Sequence, residues 1–333
     1  MSLPPSEIPL GAMRFNSDSQ KLEYYDGAQW LQVSTFSPNL NGGARAVFAG
    51  GYITPAFSNI IDYVTISSTG NAADFGDLYQ ARRASSSAAS PIRGVFSGGY
   101  SPTILNTIDF VTISSTGNAL DFGDLTTTRR SSGSCSNSTR ALFAGGVLTP
   151  GGLTNTIEYV TIFSSGIAID FGDVITAAEG MGSCGSPTRG LFGGGSTPTG
   201  SNVIQYVTIS TTANAVDFGD LTVARWVVAS FSNSTRGLWA GGRTPTAQNV
   251  IDYVTIATTG DAVDFGDLTV AKLEVSGCAS STRGLVAGGY AAPANTNVIE
   301  YVTIATLGNA VSFGNLTAAR AVSSCSNGHG GLG

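Results

Sequence analysis

The sequence predicts an all-β fold made of repeated units, and three observations predict it. A segment of about 48 residues occurs six times along the 333-residue chain. Each copy contains runs rich in Val, Ile, Tyr and Thr, the residues that suit a pleated, half-buried surface. Glycine occupies 44 positions, as a chain with many tight turns requires.

The repeat is anchored on a Tyr-Val-Thr-Ile segment beginning at Tyr63, Phe110, Tyr159, Tyr206, Tyr253 and Tyr301, with spacings of 47, 49, 47, 47 and 48 residues. An Arg-x-x-x-x-Gly-Gly motif precedes each anchor, starting at Arg45, Arg93, Arg140, Arg189, Arg236 and Arg283. An Asp-Phe-Gly-Asp-Leu motif follows it, drifting to Asp-Phe-Gly-Asp-Val in the third copy and to Ser312-Phe313-Gly314-Asn315-Leu316 in the last.

Four short strands are expected per copy. In the fifth they run over Ala224 to Asn233, Arg236 to Ala240, Asn249 to Ile256 and Ala262 to Leu268. The third strand is apolar on both faces, with Tyr253 on one and Val254 and Ile256 on the other, as a sheet packed between two others requires. Four strands in a period of 40 to 50 residues is the signature of a propeller blade. The predicted fold is therefore a six-bladed β-propeller over residues 44–333, preceded by a short N-terminal β-hairpin segment over residues 1–43. The first copy begins at its second strand, near Arg45, and the chain ends on a further first strand, Arg320 to Gly330. That C-terminal strand is expected to complete the first blade and remove the open sheet edges that invite aggregation.

The arrangement resembles the kelch repeat over residues 44–333. Arg225 stands before the first strand, Gly241-Gly242 ends the second, Tyr253 lies in the third and Phe265-Gly266-Asp267-Leu268 in the fourth. Phe replaces the usual Trp of that family, and the leading Arg is lost in two copies, to Ala178-Glu179 and to Lys272. The resemblance implies the propeller fold and no particular activity.

Loops between the diglycine and the third strand vary in length and carry Thr54-Pro55, Ser101-Pro102, Thr149-Pro150, Thr197-Pro198, Thr244-Pro245 and Ala292-Pro293. Equivalent loops of a propeller gather on one face. Variable loops on a fixed scaffold are where binding concentrates, and they are equally where drift is tolerated.

Composition narrows the partners. Charged residues make up 11%, and the formal net charge is −6. Nucleic acid binding needs a basic footprint and is not expected. No run reaches the 18 apolar residues of a membrane-spanning helix, so membrane insertion is not expected either. The N-terminus lacks the basic and apolar regions of a signal peptide, which points to folding in the cytoplasm.

Several side-chain sets look chemical until the copies are aligned. Cys135, Cys184 and Cys278 each lie five residues before the repeat Arg, and Cys325 takes the same place in the C-terminal strand. Ala88 and Phe231 fill that slot in the other copies, which reads as a small buried apolar position rather than a metal site or disulfide. The Asp-Phe-Gly triplet recurs in nearly every copy and lacks the partner motifs of a kinase. Its Asp pairs are expected to cap turns in preference to binding calcium. The six repeat arginines are expected to bridge blades by hydrogen bonds. The single His329, in a glycine-rich end, offers too few ligands for a copper oxidase of the galactose-oxidase kind and reads as incidental. No Gly-x-Ser-x-Gly elbow and no Ser-x-Asp-x-Gly-x-x-Trp box is present. No catalytic residue, cofactor or metal is expected, and the chain reads as a non-enzyme.

The N-terminal segment stands outside the repeat. Met13 and Phe15, then Leu22 and Tyr24, alternate as in a hairpin, with Ser17-Asp18-Ser19 at the turn and Asp26-Gly27 at a second one before Trp30. The runs Gly11-Ala12-Met13-Arg14-Phe15-Asn16 and Leu22-Glu23-Tyr24-Tyr25-Asp26-Gly27-Ala28-Gln29-Trp30 resemble a short module of bacteriophage tail fibres and other virion structural proteins. That resemblance spans about 20 residues. It implies a virion protein assembled in the host cytoplasm, docked on other virion proteins and oligomerised through Arg14, Phe15, Tyr24, Tyr25 and Trp30. The propeller would then meet a host-surface glycan or a neighbouring subunit. A segment that merely caps the propeller, a lectin acting through the Thr-Pro loops, and a bacterial kelch-type scaffold are the alternatives.

Overall fold

The computed structural model describes residues 8–16, 21–32 and 43–332. The chain falls into two compact units, Met1–Gly42 and Gly43–Gly333.

The first unit holds a three-stranded antiparallel sheet in the order β1 (Met13–Asn16), β2 (Lys21–Tyr25), β3 (Trp30–Gln32). The expected hairpin thus carries a third strand. Its second turn is made by Asp26, whose Oδ1 accepts the N–H groups of Ala28 at 2.9 Å and Gln29 at 2.8 Å, an Asx turn. Those two bonds hold the Asp26 carboxyl below its usual range. The expected turn at Ser17-Asp18-Ser19 lies outside the described residues.

The second unit is all-β, with six antiparallel sheets of four principal strands. Sheet five shows the plan. Ala229–Ser232 pairs with Arg236–Ala240, which pairs with Thr246–Thr255, which pairs with Val263–Lys272. Sheets two, three, four and six repeat this order, with first strands at Ser86–Ala89, Gly133–Ser136, Gly182–Gly185 and Ser276–Ala279. Sheet one takes its first strand from the other end of the chain. Ser323–Ser326 pairs with Arg45–Ala49, placing Ser323 opposite Ala49 and Ser326 opposite Ala46.

First strands are shorter than the sequence pattern implies. In sheet five the strand starts at Ala229 rather than Ala224, because Val227 adopts a left-handed backbone (φ 52°) that no strand can include. At the chain end the strand covers Ser323–Ser326, and Gly330–Leu332 closes as a 3₁₀ turn.

Between the third and fourth strands the register slips by one residue, so that Ile251 faces Gly266 while Asp252 faces Asp264. Phe265 is the extra residue of this bulge, and its ring is buried. Gly266 follows at φ 147°, and a Cβ there would lie 2.6 Å from the Gly308 carbonyl oxygen of sheet six. The glycine of the Asp-Phe-Gly motif is therefore required by the close approach of the next sheet. The capping oxygen at this junction is Asn309 Oδ1, which accepts the Asp267 N–H at 3.0 Å. In this motif the second Asp receives a cap from the neighbouring sheet through its amide, where the sequence pattern had pointed to its carboxylate as the cap.

Apolar burial lies between sheets. Six core clusters each join consecutive sheets, and one of them joins the sixth sheet to the first through Ala46, Phe48, Val64, Cys278, Leu285 and Ile299. The repeat arginines cross the same junctions, as expected. Arg45 Nη1 donates to the carbonyl oxygens of Ile113 and Ser114 on sheet two at 3.2 and 3.0 Å, with its guanidinium 4.9 Å from the Tyr63 ring centroid. Arg283 of sheet six donates in the same way to Ile66 and Ser67 of sheet one, at 3.2 and 2.9 Å.

Candidate functional site

The first strands of the six sheets surround a cavity of about 350 Å³. Serine hydroxyls tie these strands together. Ser134 Oγ donates to the Ser87 carbonyl at 2.8 Å, Ser230 Oγ to the Ser183 carbonyl at 2.8 Å, and Ser87 Oγ to the Ser324 carbonyl at 2.8 Å. Small side chains let six strands converge, and each hydroxyl satisfies a backbone group that convergence has removed from water.

The walls are not alike. One level of the cavity carries Ser85 and Ser132 on sheets two and three, then Met181, Val228, Val275 and Val322 on sheets four, five, six and one. Arg83 and Arg130 stand at the mouth above the serine side, and Glu274 stands above the apolar side. The Arg83 guanidinium lies 5.7 Å from the Tyr52 ring centroid and 5.6 Å from that of Tyr100. Arg130 is 3.9 Å from Glu179, with both side chains about one-third exposed. Deeper inside, Ser183 Oγ is buried without a hydrogen-bond partner in the protein.

The mouth is built on strained backbone. Ala84, Ser131, Val227 and Glu274 have φ of 54°, 56°, 52° and 54°, with Gly180 at 66° in the equivalent place. Their peptide groups form a chain of hydrogen bonds, Ser131 N to Ala84 O, Gly180 N to Ser131 O, Val227 N to Gly180 O and Glu274 N to Val227 O, of 2.8 to 3.2 Å. The segment leading into the C-terminal strand, which completes sheet one, lacks this residue. Five positions separate Arg320 from Cys325, against six between Arg82 and Ala88, so the left-handed residue is the one omitted.

The far end is closed by the chain terminus. His329 is half-buried, with Nε2 at 2.9 Å from the Ala89 carbonyl and Nδ1 accepting the Gly331 N–H at 3.1 Å. Gly330 and Gly331 press so closely on the Asn233, Gly185 and Ser136 carbonyls that a Cβ at either would collide. His329 is therefore a plug, a correction to its reading as incidental. Its role depends on four sheets meeting at one point, which no local pattern discloses.

A second set of polar groups is structural and was only half legible. Arg82, Arg129, Arg225 and Arg320, which lead the first strands, are buried and paired with Asp109, Glu158, Asp252 and Asp62 on the third strands, at 2.8, 2.8, 2.8 and 3.0 Å. Lys272 pairs with Glu300 at 2.9 Å. Where the cation is absent, at Ala178, the carboxylate is absent too and Gln205 takes its place. The sequence pattern exposed the loss of the Arg; aligning the third strands as well would have exposed its partner.

The cysteines are all free and buried, and each side chain of that slot meets the second strand of the next sheet. Cys325, Cys135 and Cys184 press on Gly94, Gly190 and Gly237, and Phe231 presses on Gly284.

The residues singled out in the sequence do not converge. Thr54, Pro55, Thr149, Pro150, Pro198 and Pro245 are exposed at loop tips, and Thr197 and Thr244 are half-buried beside them. None of these lines the cavity; the loop bases do so, through Gly51, Tyr52 and Asn295. In the N-terminal unit the five residues divide by face. Arg14 pairs with Glu23 at 2.9 Å and lies 4.3 Å from the Trp30 ring centroid, while Tyr25 is buried 5.4 Å from Trp30. Phe15 and Tyr24 project from the other face with Met13 and Leu22, at exposures of 66%, 40%, 62% and 37%.

Set against known protein families and against curated proteins, the chain matches none. Among the described residues, no cluster of three or more His, Cys, Asp or Glu side chains has a geometry that could hold a metal ion.

Proposed function

We propose that Gly43–Gly333 is a six-bladed, kelch-like β-propeller and that the chain is a bacteriophage virion structural protein which displays it. Support for the propeller comes from the core clusters between consecutive sheets, the sixth with the first included, and from the chain end completing sheet one. The convergent cavity fits a binding role, and the reading is of a display and attachment protein rather than an enzyme.

The observation that carries the virion reading is the divided face of the N-terminal sheet. Arg14, Glu23, Tyr25 and Trp30 hold the module together on one side. Met13, Phe15, Leu22 and Tyr24 are exposed on the other, an apolar surface of the kind that marks a protein contact. These same residues carry the resemblance of the sequence to a virion module. In this reading the sheet docks on other virion proteins, and copies of the chain gather there.

Mass spectrometry of particles made by the genome that encodes this chain tests the reading. The protein is expected in purified particles, and Phe15→Ser with Tyr24→Ser is expected to reduce its incorporation while leaving the free chain folded. Absence of the wild-type protein from particles would rule the reading out. A glycan-binding role is the second reading, favoured by the amphipathic cavity.

A further inference from the structure

We propose that the cavity enclosed by the first strands binds one carboxylate-bearing sugar residue of the hexuronate or related acidic type. The inference deepens the host-contact part of the display reading and names the chemistry of that contact.

Size and shape come first. About 350 Å³ is at the lower end of the roughly 300–1,000 Å³ typical of small-molecule sites, and suits one or two sugar rings. The His329 plug leaves a pocket with one mouth. The mouth is pre-organised, because its left-handed residues are locked to one another by peptide hydrogen bonds. Strain of this kind persists only where surrounding structure imposes it, and it gathers at ligand sites. A rigid mouth also lowers the ordering cost of binding.

The two-sided wall then selects the ligand. A pyranose ring has an apolar C–H face and an edge of hydroxyls. Val228, Val275 and Val322 offer a surface for the face, and the serines of sheets two and three offer hydroxyls for the edge. Arg83 and Arg130 stand on adjacent sheets above the serine side. Among the described residues Arg83 is in no ion pair, and the two tyrosine rings hold its guanidinium in place. A carboxylate on the sugar gains charge-assisted, bidentate hydrogen bonds there. Glu274, across the mouth, repels the same carboxylate and so reinforces a single orientation.

The cavity is single where the blades are sixfold, so one ligand per chain is expected. The test is calorimetric titration of the purified full chain with glucuronate, N-acetylneuraminate and glucose. Expected are one site per chain, affinity for at least one acid tenfold or more above that for glucose, a tenfold or greater loss with Arg83→Gln, and loss of binding with Val228→Trp, which fills the cavity. Arg83 is exposed, so its variant reports even where Val228→Trp fails to fold. Failure of both acids to bind, equal binding of glucose and the acids, a stoichiometry near six, or binding that survives Arg83→Gln undiminished would each overturn the inference. None of these results bears on whether the protein is in the virion, which the particle analysis decides separately.

Discussion

Arg225 donates through Nη2 to Asp252 Oδ2 at 2.8 Å, and neither side chain is accessible to solvent. The guanidinium also reaches the Val250 and Trp239 carbonyls at 2.9 and 3.1 Å, and Thr222 Oγ1 donates to the other carboxylate oxygen at 2.6 Å. Burial alone pushes the Asp252 carboxyl up and the Arg225 guanidinium down, while the charge of each partner opposes the shift of the other. Such a pair is costly to break and neutral or nearly so to replace whole. Sheet four, with Ala178 and Gln205, is the replacement already made within the same molecule.

Arg225→Ala is therefore expected to destabilise the second unit by about 3–5 kcal/mol, by leaving a buried carboxylate uncompensated. Adding Asp252→Gln to the same chain is expected to recover at least half of that loss. Urea unfolding of the two variants and the wild type measures both steps. A double variant no more stable than Arg225→Ala would show that the pair contributes something that Ala178 and Gln205 do not replace.

The His329 plug makes stability depend on pH. Burial lowers its pKa below the usual 6.5, with the Ala89 carbonyl acting in the opposite sense. The hydrogen bonds select the neutral tautomer, since Nε2 donates and Nδ1 accepts, and a second proton on Nδ1 would face the Gly331 N–H. A histidine depressed in the folded state binds fewer protons there than when unfolded. Its contribution is thus full above the unfolded value near 6.5 and is lost as pH falls below it. The thermal midpoint is expected to drop between pH 7.5 and 5.5 by more in the wild type than in His329→Asn. Equal drops in calorimetric scans would rule the plug out as their source.

The inter-sheet slot is matched in size. Phe231 faces Gly284, whereas Ala88 and Ala141 share a core cluster at the equivalent junction. A Cβ on Gly284 would come within 2.0 Å of the Phe231 ring, so Gly284→Ala is expected to cost about 1–3 kcal/mol by overpacking. Phe231→Ala is expected to cost about 3–5 kcal/mol through the cavity it leaves. The double variant recreates the Ala88–Ala141 junction, and in chemical denaturation it should be more stable than the sum of the single effects implies.

Thiol reactivity gives an independent readout of the same slot. Burial pushes the Cys135 and Cys278 thiols up to about 12. Desolvation raises Cys184 and Cys325 further still. Thiolate is the reactive form, so iodoacetamide at pH 8 is expected to label none of the four in the folded protein. Labelling should appear together with the unfolding transition, and rapid labelling of native protein would contradict the burial.

What could be read along the chain was what repeats locally. The Tyr253 strand, the Phe265-Gly266 bulge and the Arg236 bridge recur at fixed offsets, so their positions and structural roles follow from alignment of the copies. The two-faced N-terminal strands were legible for the same reason, through the alternation of Met13 and Phe15. Aligned loops, however, pointed to Thr54 and Pro55, whereas the cavity is lined by Tyr52 and by residues ahead of each first strand, such as Arg83 and Val228.

By itself the sequence determined an all-β chain of six similar units, each apolar on both faces of its third strand, with a distinct segment ahead of them. Only the tertiary structure decided which variations among the copies face one another. Arg83, Arg130, Ser132, Met181 and Val228 come from different copies and mean little singly. Convergence of six first strands on one cavity turns them into a polar side and an apolar side. Closure by His329 then makes that cavity a pocket with one mouth, because the chain end must pack against sheets whose sequences lie up to 240 residues away.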